Sequence, residues 1–268
     1  HAAAPILRCP PTPPPESSMP IPATLGVDKC RTVGIVFAVA VEADAFERAA
    51  ADHVETRASG LVIHEGEVAG ARVVWCVGGV GAEAAARAAR LLIDGHRPGF
   101  LVSAGFAGGL APDLVRGAAV RPGVSVVDGD ARPIPLDTRG CTAAATPLAI
   151  VSVADIVATP AAKRALAERT TAQVVDMETR AVAEVAAAAG LPCVSIRVIS
   201  DAADDELPRE VTDLARPQST MRRLGAALGA VGRRPRAALD LWRLYEHAVV
   251  DAKTLAESLA EVCSAAHG

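Results

Sequence analysis
The sequence predicts a three-layer α/β/α fold around a central mixed sheet, and three observations predict it. Residues 32–41, 100–104 and 191–200 are near-continuous apolar runs of the kind found in strands buried on both faces. Alanine-rich helical segments alternate with these runs. Where apolar runs stop stand Ala40-Val41-Glu42, Gly105-Phe106-Ala107-Gly108-Gly109, Asp176-Met177-Glu178 and Ile199-Ser200-Asp201. The carboxyl ends of strands are where an open α/β sheet binds its ligand.

Taken in order, the first strand is expected over 32–41 with Glu42 at its exit, followed by helical character over 43–51. Residues 61–66 and 71–77 read as paired strands about a turn at Gly70. Gly78-Gly79-Val80-Gly81 opens an alanine-rich helix that reaches about Asp94. The strand at 100–104 is expected to run into a glycine turn over 105–109, with one or two further strands within 119–127. Residues 128–146 mix Asp, Gly, Pro and Thr without a period and read as a loop over the site. After an apolar run at 148–153, Thr159-Pro160 starts a helix by the cap-then-proline pattern. Residues 173–176 form a short strand, and a helix over 177–189 is closed by Gly190. The strand at 191–200 delivers Asp201 at its exit, and beyond Pro217 the pattern is helical, broken at Pro235, with no internal repeat.

A chain of 268 residues, 51% of them hydrophobic, can fill one large core. The expected division is a disordered proline-rich leader over 1–30, a catalytic domain over 31–215, and C-terminal helices over 216–268. No apolar run is long enough to span a bilayer. A net charge of −4 and an aromatic content of 3% supply neither a basic face nor stacking platforms, which argues against nucleic acid as a partner. The six cysteines are scattered without a C-x-x-C pair, so neither a zinc motif nor a disulfide framework is indicated, and a reducing cytoplasm is the simple reading. His53, His64, His96 and His247 have no partner at catalytic or ligand spacing. The spacing of Gly78-Gly79-Val80-Gly81 is not G-x-G-x-x-G, and no acid marks the next strand end, which argues against a nicotinamide cofactor. Neither a metal nor an organic cofactor is expected.

Singly, each acid has an ordinary explanation. Glu42 opens a solvated helix, Glu178 favours the positive end of its helix, and Asp201 caps the segment after its strand. Together they suit glycosidic cleavage, which passes through a cationic sugar and needs one acid for the leaving group and one base for the nucleophile. Glycines without side chains let backbone N–H groups approach a ligand closely.

These residues resemble the purine nucleoside phosphorylase and nucleosidase superfamily, particularly its 5′-methylthioadenosine/S-adenosylhomocysteine nucleosidase-like branch. Residues 102–112, Val-Ser-Ala-Gly-Phe-Ala-Gly-Gly-Leu-Ala-Pro, look like that family's glycine turn. Val175-Asp176-Met177-Glu178 and Val198-Ile199-Ser200-Asp201 look like its E-M-E and S-D signatures in the right order, with Asp176 departing from the first Glu. The resemblance implies that Asp201 is the general acid that protonates the leaving purine, with Ser200 orienting it. It implies that Glu178 binds the ribose hydroxyls, Met177 packs beside the sugar, and Glu42 activates water. Gly105, Phe106, Ala107 and Gly108 would line the substrate. Ile156 and Val157 fall near the purine-facing segment, where the family's stacking Phe is absent. A buried Asp201 with a raised pKa is expected of the acid.

Phosphorolytic relatives place an Arg where this chain has Ser103 and a Ser where it has Phe106. Because a phosphate dianion needs cations, and this segment contains no Arg, water is the expected nucleophile. Phosphorolysis, with phosphate held by backbone amides near Gly78 to Gly81, is the alternative. A non-catalytic nucleoside-binding or membrane-associated scaffold is a third reading, supported by the missing Phe and opposed by the retained acids. The stretch from Val157 through Lys163 to Glu178 looks like the hopanoid-associated phosphorylase subgroup, implied to release adenine from adenosylhopane. Relatives imply a homodimer.

Toward the C-terminus, Met221, Leu224, Leu228 and Val231 share a helical face beside Arg222, Arg223, Arg233, Arg234 and Arg236. Leu239, Trp242, Tyr245 and Val249 continue the apolar stripe. A basic amphipathic helix with Trp suits an anionic membrane surface, so peripheral contact with the inner face of the membrane is one expectation. The other is that the stripe packs on its own domain or on a partner subunit.

Overall fold
The computed structural model describes residues 32–129, 131–139, 148–207 and 235–267. Its first apolar run is divided in two. β1 (Val33–Phe37) is buried throughout, and α1 (Ala40–Ala49) begins where the strand was expected to continue. Glu42 is the local reason. Its carboxylate reaches back to accept the N–H groups of Ala38 at 2.9 Å and Val39 at 3.0 Å, which satisfies donors that the helix start leaves open.

β2 (Ala51–Ala58) was not anticipated, because it is exposed along nearly its whole length and carries no apolar alternation. β3 (Leu61–Val68) and β4 (Ala71–Val77) form the expected antiparallel pair, and α2 (Ala82–His96) follows Gly81. β5 (Phe100–Gly109) corrects the reading of 105–109 as a turn, since the glycines continue the strand. β6 (Ala119–Val120), β7 (Val124–Val126), β8 (Ile134–Pro135) and β9 (Ala149–Ser152) are short. α3 (Pro160–Thr170) starts as expected, with the Thr159 side chain accepting from Ala162 N at 3.2 Å. β10 (Val174–Asp176) leads to α4 (Thr179–Ala188), which starts two residues later than expected. β11 (Cys193–Asp201) ends on Asp201, and α5 (Pro235–His267) closes the chain.

The sheet is mixed, in the order β2-β3-β4-β1-β5-β10-β9-β7-β8, with β11 pairing β5 and β6. One face is covered by α2 and α4, whose Ala85, Ala88, Leu92, Val182 and Ala186 enter one core cluster. The other face is covered by α1 and α5, which contribute Phe46, Leu255, Leu259 and Val262 to a second. The three layers follow from these two apolar faces. Residues 221–234, which carry most of the basic stripe, lie outside the described residues, and no described helix is long and apolar enough to cross a membrane. One side of α5 packs on the domain itself, with Leu255, Leu259 and Val262 fully buried.

Leu259→Ala is expected to destabilise the fold by about 2–5 kcal/mol, the usual cost of a large-to-small change in a core. Urea denaturation measures this, and a near-neutral result would mean that α5 is not part of the folding unit.

Candidate active site
The register of β5 creates the site. β11 runs parallel to it from Leu101 to Gly108 and occupies one edge, so β1 and β10 share the other. β1 pairs with residues 100–103, while β10 is antiparallel and pairs Val174 with Gly109 and Val175 with Gly108. The carboxyl ends of β1 and β10 therefore point toward each other beside residues 104–107. Glu42 follows one end, and Asp176 with Glu178 follows the other.

Glu42 is 5% exposed and its Oε1 also accepts the Phe106 N–H at 2.8 Å. Burial raises its pKa, against the opposing effect of the backbone donors and of the Arg197 charge. A Cβ at Gly105 would stand 2.5 Å from Glu42 Oε1 and 3.0 Å from Arg197 Nη1. The glycine thus makes room for a carboxylate and a guanidinium. One backbone N–H of the segment, that of Phe106, is thus given to Glu42 rather than left for a ligand.

Arg197, 2% exposed on β11, was not picked out from the sequence. Its Nε and Nη2 donate to Asp176 Oδ2 at 3.1 and 2.7 Å, and Nη2 also reaches Ser103 Oγ at 2.6 Å and Thr179 Oγ1 at 2.7 Å. Asp176 further accepts from Thr179 N at 2.8 Å, Thr179 Oγ1 at 2.6 Å and Ser152 Oγ at 2.5 Å. The signal was available: one charged residue inside a doubly buried apolar run needs a buried counter-charge. The glycine segment itself contains no Arg, as its sequence says, yet a cation stands beside it. The adjacent strand delivers one, paired with Asp176.

Glu178 precedes α4, and its Oε1 accepts the Gly81 N–H at 2.7 Å. Gly81 has φ 95°, a conformation that favours glycine, and it aims that donor across from the start of α2. The Gly81 amide suggested for phosphate is thus given to a carboxylate. Burial and the neighbouring Asp176 lift the pKa of Glu178 to about 7, and Glu42 adds to the rise while Arg197 and Gly81 oppose it. Met177, beside it, is half-buried.

Asp201 is buried, and both of its oxygens are engaged. Ser200 Oγ donates to Oδ1 at 2.7 Å and lies 3.3 Å from Ala107 O. Lys163 Nζ stands 2.6 Å from Oδ2, with no exposed side-chain surface, and also donates to Ala202 O at 2.5 Å and Asp205 O at 3.1 Å. Three acceptors match the three protons of an ammonium group. The burial expected of Asp201 is present, but its partner is a cation rather than an apolar pocket. A Cβ at Gly108 would come within 3.2 Å of Asp201 Oδ2, so this glycine too accommodates an acid. Ile156 and Val157 are half-buried in the connection from β9 to α3. Cys76, Cys193 and Cys263 are buried free thiols pushed up to about 12, which keeps them protonated and unreactive.

Fold and crevice together define an α/β protein that gathers carboxylates at its strand ends. The chain belongs to the Phosphorylase superfamily, whose family model matches residues 32–134 and 143–234. A 5′-methylthioadenosine/S-adenosylhomocysteine nucleosidase of Haemophilus influenzae (strain PittEE) is 38% identical over 88 residues, 33% of this chain and 38% of the relative. The corresponding nucleosidase of Actinobacillus succinogenes is 36% identical over the same shares. The chain thus matches 38% of the length of these curated relatives. Among solved structures, the nucleosidase from S. pneumoniae with the transition-state inhibitor MT-ImmA has a TM-score of 0.67 at 18% identity, covering 87% of this chain and 99% of that one. Futalosine hydrolase of Helicobacter pylori has a TM-score of 0.66 at 19% identity, covering 87% and 97%. These structures share the fold.

Because Glu42 and Glu178 are both raised, the folded chain holds protons that the unfolded chain has lost. Stability therefore falls as pH rises from about 4.5, the ordinary value, to about 7, the folded value of Glu178. Glu178→Gln is expected to flatten this dependence. Urea midpoints across that window test it, and a slope equal to that of the wild type would contradict the assignment.

Proposed function
We propose that the chain cleaves the N-glycosidic bond of an adenine nucleoside with water, releasing adenine and the free sugar. The observation that carries this reading is the convergence of Glu42 and Glu178 where β1 and β10 meet, with Asp201 at the end of β11. Glu42 takes a proton from water as its oxygen attacks C1′, Asp201 supplies the proton that leaves with the purine, and Glu178 binds the ribose hydroxyls. Met177 packs beside the sugar, Ser200 orients Asp201, and Ile156 and Val157 face the base. Residues 31–215 form the catalytic part of this reading.

Charge favours water over phosphate. Among the described residues of the crevice, the cations Arg197 and Lys163 are each paired with an acid, Asp176 and Asp201. Glu42 and Glu178 remain as the additional carboxylates. No unpaired cation is then left among the described residues of the crevice for a phosphate dianion, which needs one, whereas these carboxyls in their ionised form attract a cationic, oxocarbenium-like sugar. The substrate carries either a small 5′ thioether, as the names of the relatives suggest, or the hydrophobic tail of an adenosylhopane-like nucleoside, as the stretch from Val157 to Glu178 suggests. Assembly as a homodimer and peripheral membrane contact belong to this reading on the sequence argument alone.

Asp201→Asn and Glu42→Gln are each expected to lower adenine release by roughly 10²–10⁴-fold, the usual contribution of general acid–base catalysis. Lys163→Met should lower it as well, through loss of the Asp201 partner. The assay uses 5′-methylthioadenosine, S-adenosylhomocysteine and a 5′-alkyl adenosine with a long tail, each with and without phosphate. Strict phosphate dependence would replace hydrolysis by phosphorolysis, and absence of release from all three would remove the catalytic reading.

A further inference from the structure
We propose that His53, Glu55 and His64, on the edge hairpin of β2 and β3, bind a divalent first-row transition-metal ion of the zinc class. One ligand atom from each residue lies within 4.8 Å of the other two. His53 Nε2 is 2.8 Å from His64 Nδ1, and Glu55 Oε1 is 3.8 Å from the same His64 nitrogen. The sequence separation of 11 residues between the histidines gave no ligand motif, and the hairpin removes that separation. This corrects the expectation that neither histidine has a partner.

The backbone explains the convergence. Glu55 lies directly opposite His64 in the ladder, so the two share a face. The register shifts between Ala51 and Val54, where Asp52 has φ 51°. Such a bulge re-aims side chains at a sheet edge, and here it accompanies the approach of His53 to the His64 ring.

His64 is held as a preset ligand. Its ring stacks on Trp75 at 5.3 Å and 11°, and it is 8% exposed. Its second ring nitrogen, Nε2, faces Glu47 Oε1 at 3.7 Å, and Trp75 Nε1 donates to that same oxygen at 3.2 Å. The ring is held by its stacking on Trp75, and the carboxylate stands near the second nitrogen on the side from which such a group supports a metal-ligating histidine. Two imidazoles and a carboxylate suit zinc and its neighbours, with a fourth position for water. At Zn–N distances of about 2.0–2.1 Å, two tetrahedral nitrogen ligands stand ~3.3 Å apart. The two rings need to part by about half an ångström from their hydrogen-bonded separation to reach that geometry. His53, exposed on an edge strand, has the freedom to do so.

The site is separate from the crevice, because β3 is three strands from β5 in the sheet order. At 4.7–4.9 Å per strand, that is roughly 14 Å. A metal there adds a further tie between the edge strand β2 and β3, beyond the ladder and the His53–His64 contact.

The test is calorimetric titration of the full chain, first stripped with chelator, with zinc chloride alone. The expected result is one equivalent bound per chain and a higher melting temperature. Cobalt(II) substitution should give the visible absorption bands of a tetrahedral nitrogen–oxygen site. His53→Ala and Glu55→Gln should each weaken binding by at least about tenfold. Both residues are exposed, so the variants keep the fold, checked by an unchanged circular dichroism spectrum. Absence of saturable zinc binding by the wild type, or equal binding by His53→Ala, overturns the proposal.

Discussion
The crevice depends on one buried ion pair, Arg197 with Asp176. Taking both charges out of water costs several kcal/mol per ion, and only dense hydrogen bonding offsets this. Asp176 accepts from Arg197, Thr179 and Ser152, while Arg197 also donates to Ser103 and Thr179. The two side chains and their partners therefore join β5, β9, β10, β11 and the first residue of α4. Glu178 sits between Asp176 and Thr179, so its backbone is fixed on both sides by that network. The same guanidinium moderates the charges of Glu42 and Glu178, which burial pushes toward the neutral form.

The second constraint is space along β5. Carboxylates approach this strand closely enough that side chains at Gly105 and Gly108 would collide with Glu42 and crowd Asp201. Glycine inside a strand costs conformational entropy and packs nothing. Here that cost is offset by the close approach of two acids to a strand that β11 pairs from Leu101 to Gly108. A site built on strands holds its groups more tightly than one built on loops.

Much of this was legible in the sequence, and the failures have physical causes. Acids at the ends of apolar runs pointed to the crevice because strand ends in open α/β sheets converge there. Residues 105–109 read as a turn because glycine is usually a turn signal, whereas here it marks close approach. β2 was invisible because its exposed residues lack the alternation that a half-buried strand shows. Arg197 and Lys163 were missed as site residues because their partners, Asp176 and Asp201, lie 21 and 38 residues away along the chain. The His53–His64 contact depends on a bulge, which shifts the register by a backbone conformation that residue spacing does not encode.

Lys163 changes how Asp201 should be understood. A general acid placed only among apolar groups is kept protonated by desolvation. Asp201, proposed above as the acid, faces an ammonium group whose other donors are fixed on the Ala202 and Asp205 carbonyls, just beyond β11. In the proposed reaction that cation lies beside the carboxylate that remains once the proton has passed to the leaving base. A fixed charge beside a group on which charge develops is the arrangement by which preorganisation accelerates a step. Because Lys163 is carried by α3, whose start follows the segment containing Ile156 and Val157, one helix couples the position of the acid to the segment proposed to face the purine. In the proposed reading, the segment that faces the base and the residue that protonates it then share a single structural support.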